Sequence, residues 1–265
     1  MGIDAFKLKP TESTTAENLL KLAHTIDQFE QYTRPHASRL AHLAEMVATR
    51  IGLAGADREA VKMAALVHDI GELVMDAPGV RAGGHLDFKQ RIELWRHPII
   101  GEQQLAKRGL SRQVQLLVRW HHEWWNGAGY PDMLVGEAIP LGARILRLVD
   151  TYDALIAWRP YRDAFTEEQA IEIIAASAGI EFDPLLTKLF LKILAEMRQT
   201  AASLEKATLE PEVAIEVSPE TELQTPTNNV SGGETSYSSE IAAAPADTQP
   251  EERHKQEDNA ESQQP

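Results

Sequence analysis

Apolar residues recur at helical spacing along much of the first 200 residues of the chain. Positions three and four apart share one face of a helix, so repeated apolar residues at this spacing predict amphipathic helices. Helices are also predicted over 98–108, 112–125, 142–157, 167–178 and 184–198. The clearest stripes are Leu40, Leu43, Ala44, Val47 and Ile51, and Val61, Met63, Ala64 and Val67. Because strand-type alternation is missing and glycines punctuate the gaps, we predict an all-α fold.

The apolar pattern stops near Thr208. From there the chain consists mostly of Glu, Ser, Thr, Pro, Gln and Ala, which bury too little apolar surface to offset chain entropy. We therefore predict a flexible N-terminus over 1–20, one compact multi-helix domain over 21–200 and a disordered acidic tail over 208–265.

The net charge of −14 is concentrated in this tail. Residues 201–265 contain 14 acidic and 3 basic residues, whereas residues 1–200 contain 26 and 23. The helical part is therefore nearly neutral, and its charge does not exclude an anionic ligand. It also lacks a long basic stripe, so we expect no polymeric nucleic acid as a partner.

The chain contains no cysteine, so any metal must be held by nitrogen and oxygen. A chain without thiols is consistent with the cytoplasm. It has no apolar run of about 18 residues, and its start lacks the basic-then-apolar order of a secretory signal. We expect a cytoplasmic protein that does not associate with a membrane.

Seven imidazole and carboxylate side chains lie on or beside predicted helices. Such groups suit divalent metals such as Fe, Mn, Co or Zn, and helices that converge can bring distant positions into one site. The seven candidates are His36, His68, Asp69, His97, His121, His122 and Asp150.

The adjacent pair His68 and Asp69 ends an apolar stripe, where Gly71 allows the chain to turn away. An aspartate in this place can bridge two cations, one through each oxygen. We therefore take Asp69 as the candidate bridge.

Each candidate also has a purely structural interpretation, since a lone histidine on an apolar stripe is usually a hydrogen-bonded core residue. We adopt that interpretation for His24, His42, His85 and His254.

His121 and His122 are different, because adjacent side chains on a helix point about 100° apart and only one can face a simple core. Asp150 lies in an apolar run, where it needs a cation or a hydrogen-bond network. Asp153, three residues on, either orients a ligand or a water or is an ordinary surface carboxylate.

Three further residues are candidates for contacting a nucleotide. Arg159 and Arg162 can form paired hydrogen bonds to phosphate oxygens, or they are ordinary surface arginines. Tyr130, in a Gly- and Pro-rich turn, either stacks on a base or covers the core. The residues alone do not decide between these alternatives.

Taken together, these segments resemble the HD-GYP family, a subgroup of the HD phosphohydrolases named for a His-Asp pair and a Gly-Tyr-Pro loop. The resemblance spans most of residues 34–190 in the order of the family. It is carried by His36 and by the runs AALVHDIG, RHPIIGEQQL, HHEWWNGAGYPDMLVGEAIPLGARILRLVDTYDAL, RPYRDAF and AGIEFDP.

The resemblance implies an HD-type helical bundle around two metal ions, iron or manganese, and hydrolysis of cyclic di-GMP to the linear dinucleotide or GMP. It implies that one ion is held by His36, His68, Asp69 and Asp150, and the other by Asp69, His97, His121 and His122. It also implies nucleotide contacts from Tyr130, Arg159 and Arg162. We take Asp69, Glu72 and Asp153 as the catalytic candidates.

Three departures from the family pattern stand out. Glu72 occupies the position of a lysine that would pair with the scissile phosphate, so the sign of the charge is reversed. Tyr32 stands where some members have a glutamate for a third metal, which favours two metals. The segment 73–92 lacks the usual Ile-Pro-Asp and Lys-Pro-Gly pattern at the lip of the pocket.

We therefore expect a cyclic di-GMP phosphodiesterase, because a decayed site should also have lost metal ligands. Two alternatives stay open. One is a catalytically weak or inactive signalling module, and the other is an HD-superfamily phosphohydrolase that acts on another nucleotide. Regulation would come from a protein partner, through the tail or the Gly-Tyr-Pro loop.

Overall fold

Helices joined by short turns make up the part of the chain that the computed structural model describes, residues 16–75, 87–158 and 163–209. No strand occurs in these ranges, and an isolated bridge joins Ala178 and Phe182. The all-α prediction is confirmed. The helices are α1 (Ala16–Phe29), α2 (His36–Arg50), α3 (Gly55–Val67), α4 (Ile70–Val74), α5 (Phe88–Leu94), α6 (His97–Lys107), α7 (Arg112–Trp120), α8 (Leu141–Ile156), α9 (Glu167–Ala176) and α10 (Pro184–Leu209).

The apolar stripes of α2 and α3 face each other, and both also pack against α8. The core forms between these three helices. Leu40 and Val47 of α2 and Val67 of α3 are fully buried. Burying a large aliphatic side chain stabilises a fold by about 1.5–3 kcal/mol, so the stripes hold these helices together. The packing fixes the helix ends on which the candidate ligands lie.

Polar side chains define where several helices begin. Asp87 accepts a hydrogen bond from the backbone of Gln90 at the start of α5, and Thr166 does the same for Gln169 at the start of α9. The hydroxyl of Ser111 accepts from the backbone of Val114 in α7. Such caps satisfy backbone N–H groups that have no partner within the helix.

Some boundaries differ from the sequence-based predictions. The helix predicted over 112–125 ends at Trp120, because the chain turns there toward the core and Glu123 binds the following loop. The last helix continues to Leu209 and thus beyond the predicted 198. At the N-terminal side, α1 begins at Ala16 and Leu19 is buried, so the packed region starts before residue 21. Residues 210–265 lie outside the described residues, and none of the described helices has the length and apolarity needed to cross a bilayer.

Gly71 has a different role from the predicted one. A Cβ atom at this position would lie 2.0 Å from the carbonyl oxygen of His97 and 3.0 Å from the backbone nitrogen of Gly101. Glycine is therefore required because α6 approaches α4 closely, and not because the chain needs an unusual turn. The close contact places the start of α6 beside His68 and Asp69.

Candidate metal centre

His36, His68 and Asp150 form the first of two groups of potential ligands, which we call the first cluster. His36 begins α2, His68 directly follows α3, and Asp150 lies within α8. The Nε2 atoms of His36 and His68 lie 3.4 Å and 3.7 Å from Oδ1 of Asp150. One ligand atom from each of the three residues thus lies within 4.8 Å of the others.

The second cluster consists of Asp69, His97, His121 and His122. His97 begins α6, and the two adjacent histidines follow the end of α7 rather than lying on it. The Nε2 atoms of His97 and His121 lie 3.1 Å and 3.5 Å from Oδ1 of Asp69, and 3.4 Å from each other. Four side chains that could hold an ion therefore surround one point.

Asp69 connects the two clusters. Its Oδ2 atom lies 3.0 Å from Nε2 of His68 in the first cluster, whereas its Oδ1 atom faces His97 and His121 in the second. The carboxylate has its place in the turn between α3 and α4, and its side chain is 12% exposed. The two oxygens of this carboxylate thus face different clusters.

The buried polar atoms of the site fit cations. Nε2 of His36, Nε2 of His68 and Oδ1 of Asp69 are buried without a hydrogen-bond partner among the described residues. Buried polar atoms normally have partners, since leaving one unsatisfied costs about 1–3 kcal/mol. A metal ion bound between these atoms would remove that cost, so both clusters are able to bind metal.

Backbone carbonyls orient three of the imidazoles. In each case Nδ1–H donates to the carbonyl oxygen three residues earlier, near the C-terminal end of a helix. This bond leaves the lone pair of Nε2 directed into the cluster. The pairs are His68 with Ala65 (3.0 Å), His97 with Leu94 (2.8 Å) and His121 with Val118 (2.6 Å).

A carboxylate orients the imidazole of His36. Its Nδ1–H donates to Oδ2 of Asp153 at 2.6 Å, and Arg39 binds the same carboxylate through two nitrogens at 2.9 Å and 2.8 Å. Asp153 is 1% exposed, so it is not a surface carboxylate. Of the two interpretations of Asp153 from the sequence, the geometry favours the one in which it orients a ligand.

The electrostatics of the site favour a bound cation. Burial opposes ionisation of Asp69, but the charge of His68 and the other neighbouring histidines hold the pKa of the carboxyl well below its usual range. Burial likewise opposes ionisation of Asp150, yet His36 and His68 lower its pKa to about 2. Both carboxylates are therefore charged at neutral pH, the state in which a carboxylate can bind a metal ion.

Tyr130 lies against the second cluster. Its ring stacks on His122, with ring centroids 4.9 Å apart, and on Trp95, with centroids 5.3 Å apart. Gly129 makes this arrangement possible, because a Cβ atom there would lie 2.2 Å from the backbone nitrogen of Trp124. Burial raises the pKa of the Tyr130 hydroxyl, which keeps the group neutral.

Glu72 and the two predicted phosphate-binding arginines complete the candidate residues. Oε1 of Glu72 lies 3.9 Å from Nδ1 of His97, and the side chain is 13% exposed. The negative charge thus lies beside the second cluster. Arg159 and Arg162 lie outside the described residues.

The structure adds residues that the sequence reasoning did not select. Arg39 binds Asp153, Arg147 donates to Nδ1 of His122, and Trp95 stacks on Tyr130 while 47% exposed. The apolar pattern gave no signal for the two arginines, because their partners are distant in sequence. Trp95 directly precedes the RHP run and could have been noted as an aromatic residue beside a ligand.

These features define a class, a helical domain that gathers histidines and aspartates into two adjoining clusters of potential metal ligands. A family model described as an HD domain matches residues 21–186. The chain therefore belongs to the HD-domain family and is of the HD-GYP type.

Known relatives carry names that describe related activities. The chain is 34% identical over 209 residues to the cyclic di-GMP phosphodiesterase response regulator RpfG of Xanthomonas campestris, a match that covers 78% of this chain and 55% of that protein. It is 33% identical over 193 residues to 3'3'-cGAMP-specific phosphodiesterase 2 of Vibrio cholerae, covering 72% and 37%. The chain thus spans about half or less of the length of these relatives.

The fold is also similar to solved structures. The crystal structure of a cyclic GMP-AMP specific phosphodiesterase of V. cholerae superposes with a TM-score of 0.54 at 21% identity, covering 68% of this chain and 48% of that one. An HD-GYP protein of Bdellovibrio bacteriovorus gives a TM-score of 0.50 at 19% identity, covering 60% and 51%. At this identity the similarity concerns the fold alone.

Proposed function

We propose that the chain is a metal-dependent phosphodiesterase that hydrolyses cyclic di-GMP to the linear dinucleotide or to GMP. The observation that carries the proposal is the position of Asp69, whose two oxygens face two clusters of ligand atoms. Relatives named for hydrolysis of cyclic di-GMP and 3'3'-cGAMP support a cyclic dinucleotide as the substrate class.

The two clusters would hold two divalent ions, iron or manganese. Asp69 would be shared between His36, His68 and Asp150 on one side and, on the other, His97 and His121, with His122 beside them. Two such metal ions would lower the pKa of a water molecule bound to them and would stabilise negative charge on the phosphoryl oxygens. Nitrogen and oxygen ligands of this kind suit both iron and manganese.

The side chains around the clusters have supporting roles in this proposal. Asp153 and Arg39 hold His36 in one orientation, which keeps a ligand ready without rearrangement. Trp95, stacked on Tyr130, offers a half-exposed aromatic surface beside the second cluster. Stacking of a base on such a surface contributes about 1–3 kcal/mol. Arg159 and Arg162 would bind the phosphates.

Glu72 supports a second candidate function, a signalling module that binds metal and dinucleotide but turns the dinucleotide over slowly or not at all. The carboxylate lies close to His97, where it repels the negative charge of a phosphate. A lysine in this place would attract the phosphate. The activity of the wild-type chain decides between the two functions.

The test is purification under anaerobic conditions, metal analysis, and an assay of cyclic di-GMP with iron and with manganese. We expect metal-dependent turnover that is lost in Asp69→Ala and kept in Asp57→Ala, which changes an aspartate in the first turn of the helix that ends next to His68. The same assay with 3'3'-cGAMP identifies the preferred nucleotide. Binding of metal and cyclic di-GMP without turnover would contradict the enzymatic proposal and support the signalling module.

A further inference from the structure

His122 differs from the other imidazoles of the second cluster in the partner of its Nδ1 atom. His97 and His121 donate from Nδ1 to backbone carbonyls, whereas Nδ1 of His122 lies 2.9 Å from Nη1 of Arg147. A guanidinium has only donors and stays charged in proteins. Nδ1 of His122 must therefore accept this hydrogen bond, and the proton of the neutral ring is on Nε2.

This hydrogen bond conflicts with a role of His122 as a metal ligand. A ligating imidazole needs a free lone pair on the nitrogen that faces the ion. In His122 one nitrogen carries a proton and the lone pair of the other is directed at Arg147. Consistently, His97 and His121 approach the carboxylate of Asp69, and no such contact of His122 occurs within the described ranges.

Arg147 is firmly held in this position. Its Nη2 atom donates to Oε1 of Glu181, which also accepts from the hydroxyl of Thr151 at 3.3 Å. The side chains of Arg147 and Glu181 are only 15% and 14% exposed, and the guanidinium lies 6.0 Å from the ring centroid of Trp124. A partly buried and paired arginine does not leave its partner without a cost in free energy.

We propose that Arg147 is a positioning residue that withholds His122 from the second metal ion. The second ion would then be held by Asp69, His97 and His121, one protein ligand fewer than the second cluster contains. Arg147 also weakens the binding of this ion by its own positive charge. The inference rests on the metal centre of the proposed function and concerns its ligand set.

Calorimetric titration of the metal-free chain with Mn²⁺ tests the inference. The binding step of the second cluster is the step whose affinity falls in His97→Ala. We expect Arg147→Met to bind this second Mn²⁺ about tenfold more tightly or better, which corresponds to about 1.4 kcal/mol. In the wild-type background, His122→Ala should change the affinity for the second Mn²⁺ little. In the Arg147→Met background, it should remove the gain in that affinity.

Arg144→Met is the matched control. Arg144 lies one turn earlier on α8, pairs with Asp183 at 2.7 Å and lies 5.6 Å from the ring centroid of Trp125, but it does not bind His122. Its replacement removes a similar charge and should leave the second step unchanged. Equal gains in both variants would show a general effect of charge and overturn the proposed role of Arg147.

The remaining outcomes separate the two proposals. If the first Mn²⁺ binds but Arg147→Met does not bind the second Mn²⁺ more tightly than the wild type, the inference is overturned and the proposed function still stands. No Mn²⁺ binding by the wild type or by Arg147→Met overturns both. Circular dichroism checks that each variant is folded, and Arg147→Lys replaces Arg147→Met if the latter is not. Lysine keeps a positive partner for Glu181 but cannot bind Glu181 and His122 with two separate nitrogens.

Discussion

The contact between α4 and α6 makes a quantitative prediction for Gly71→Ala. A Cβ atom at residue 71 would lie 2.0 Å from the carbonyl oxygen of His97, and real Cβ contacts below 3.0 Å essentially do not occur. The two backbones must therefore move apart by about 1 Å, because no flexible side chain can give way. His97, which begins α6, moves with its carbonyl and leaves the second cluster.

The expected loss of stability combines two effects. Overpacking against rigid backbone costs about 3 kcal/mol, while replacing glycine by alanine at a compatible site stabilises by about 0.4–1 kcal/mol. The net loss is about 2 kcal/mol. For a domain of this size, Tm then falls by about 4–8 °C. Displacement of His97 should also weaken Mn²⁺ binding at the second cluster by about tenfold or more.

Differential scanning calorimetry and Mn²⁺ titration measure both effects, with Gly55→Ala as the control. Gly55 begins α3, and a methyl group added there would meet no other atom within 4 Å, so its replacement should leave Tm unchanged or slightly higher. If Gly71→Ala matched Gly55→Ala in Tm and in Mn²⁺ affinity, the close contact would not constrain the site and this reasoning would be wrong.

Three further predictions concern the metal centre. Asp69→Ala should remove metal from both clusters, whereas His97→Ala should weaken metal binding only at the second cluster. Elemental analysis of the purified variants tests this, and a full metal complement in Asp69→Ala would exclude a bridging role of Asp69. Asp153→Asn should weaken Mn²⁺ binding at the first cluster by about 10–100-fold, as measured by calorimetry, and an unchanged affinity would mean that His36 needs no orienting group. Glu72→Lys should raise cyclic di-GMP turnover by about tenfold or more, whereas slower turnover would make Glu72 a working part of the site.

The fold and the histidines and aspartates that the structure brings together could be predicted from the sequence, because both depend on local patterns. The stripes of α2 and α3 follow helical periodicity, and Asp150 stands out because a carboxylate in an apolar run needs a partner. The grouping of the candidate ligands into two clusters could not be worked out from local patterns. It came from the resemblance to a family whose motifs keep the same order.

Of the residues that orient the candidate ligands, Asp153 was a candidate from the sequence, but the arginines could not be predicted. Arg39 and Asp153 are separated by 114 positions, and Arg147 and His122 by 25, so only the packing of helices brings them together. The end of α7 at Trp120 was missed for a related reason. The hydrogen bonds that Glu123 accepts from the backbone of Asp132 and Leu134 override the helical preference of the residues that follow Trp120.

The hydrogen bonds between three histidines and backbone carbonyls also affect the stability of the helix ends. Ala65, Leu94 and Val118 lie in the last turns of α3, α5 and α7, where carbonyls have no partner within the helix. An imidazole held by an ion also holds the carbonyl behind it, so ion binding and the folding of these last turns are thermodynamically linked. At a free ion concentration of about 100 times Kd, this linkage adds about 2.7 kcal/mol to the stability of the folded state. Chelation should therefore increase amide hydrogen exchange first at these three helix ends, before the core of α2 opens.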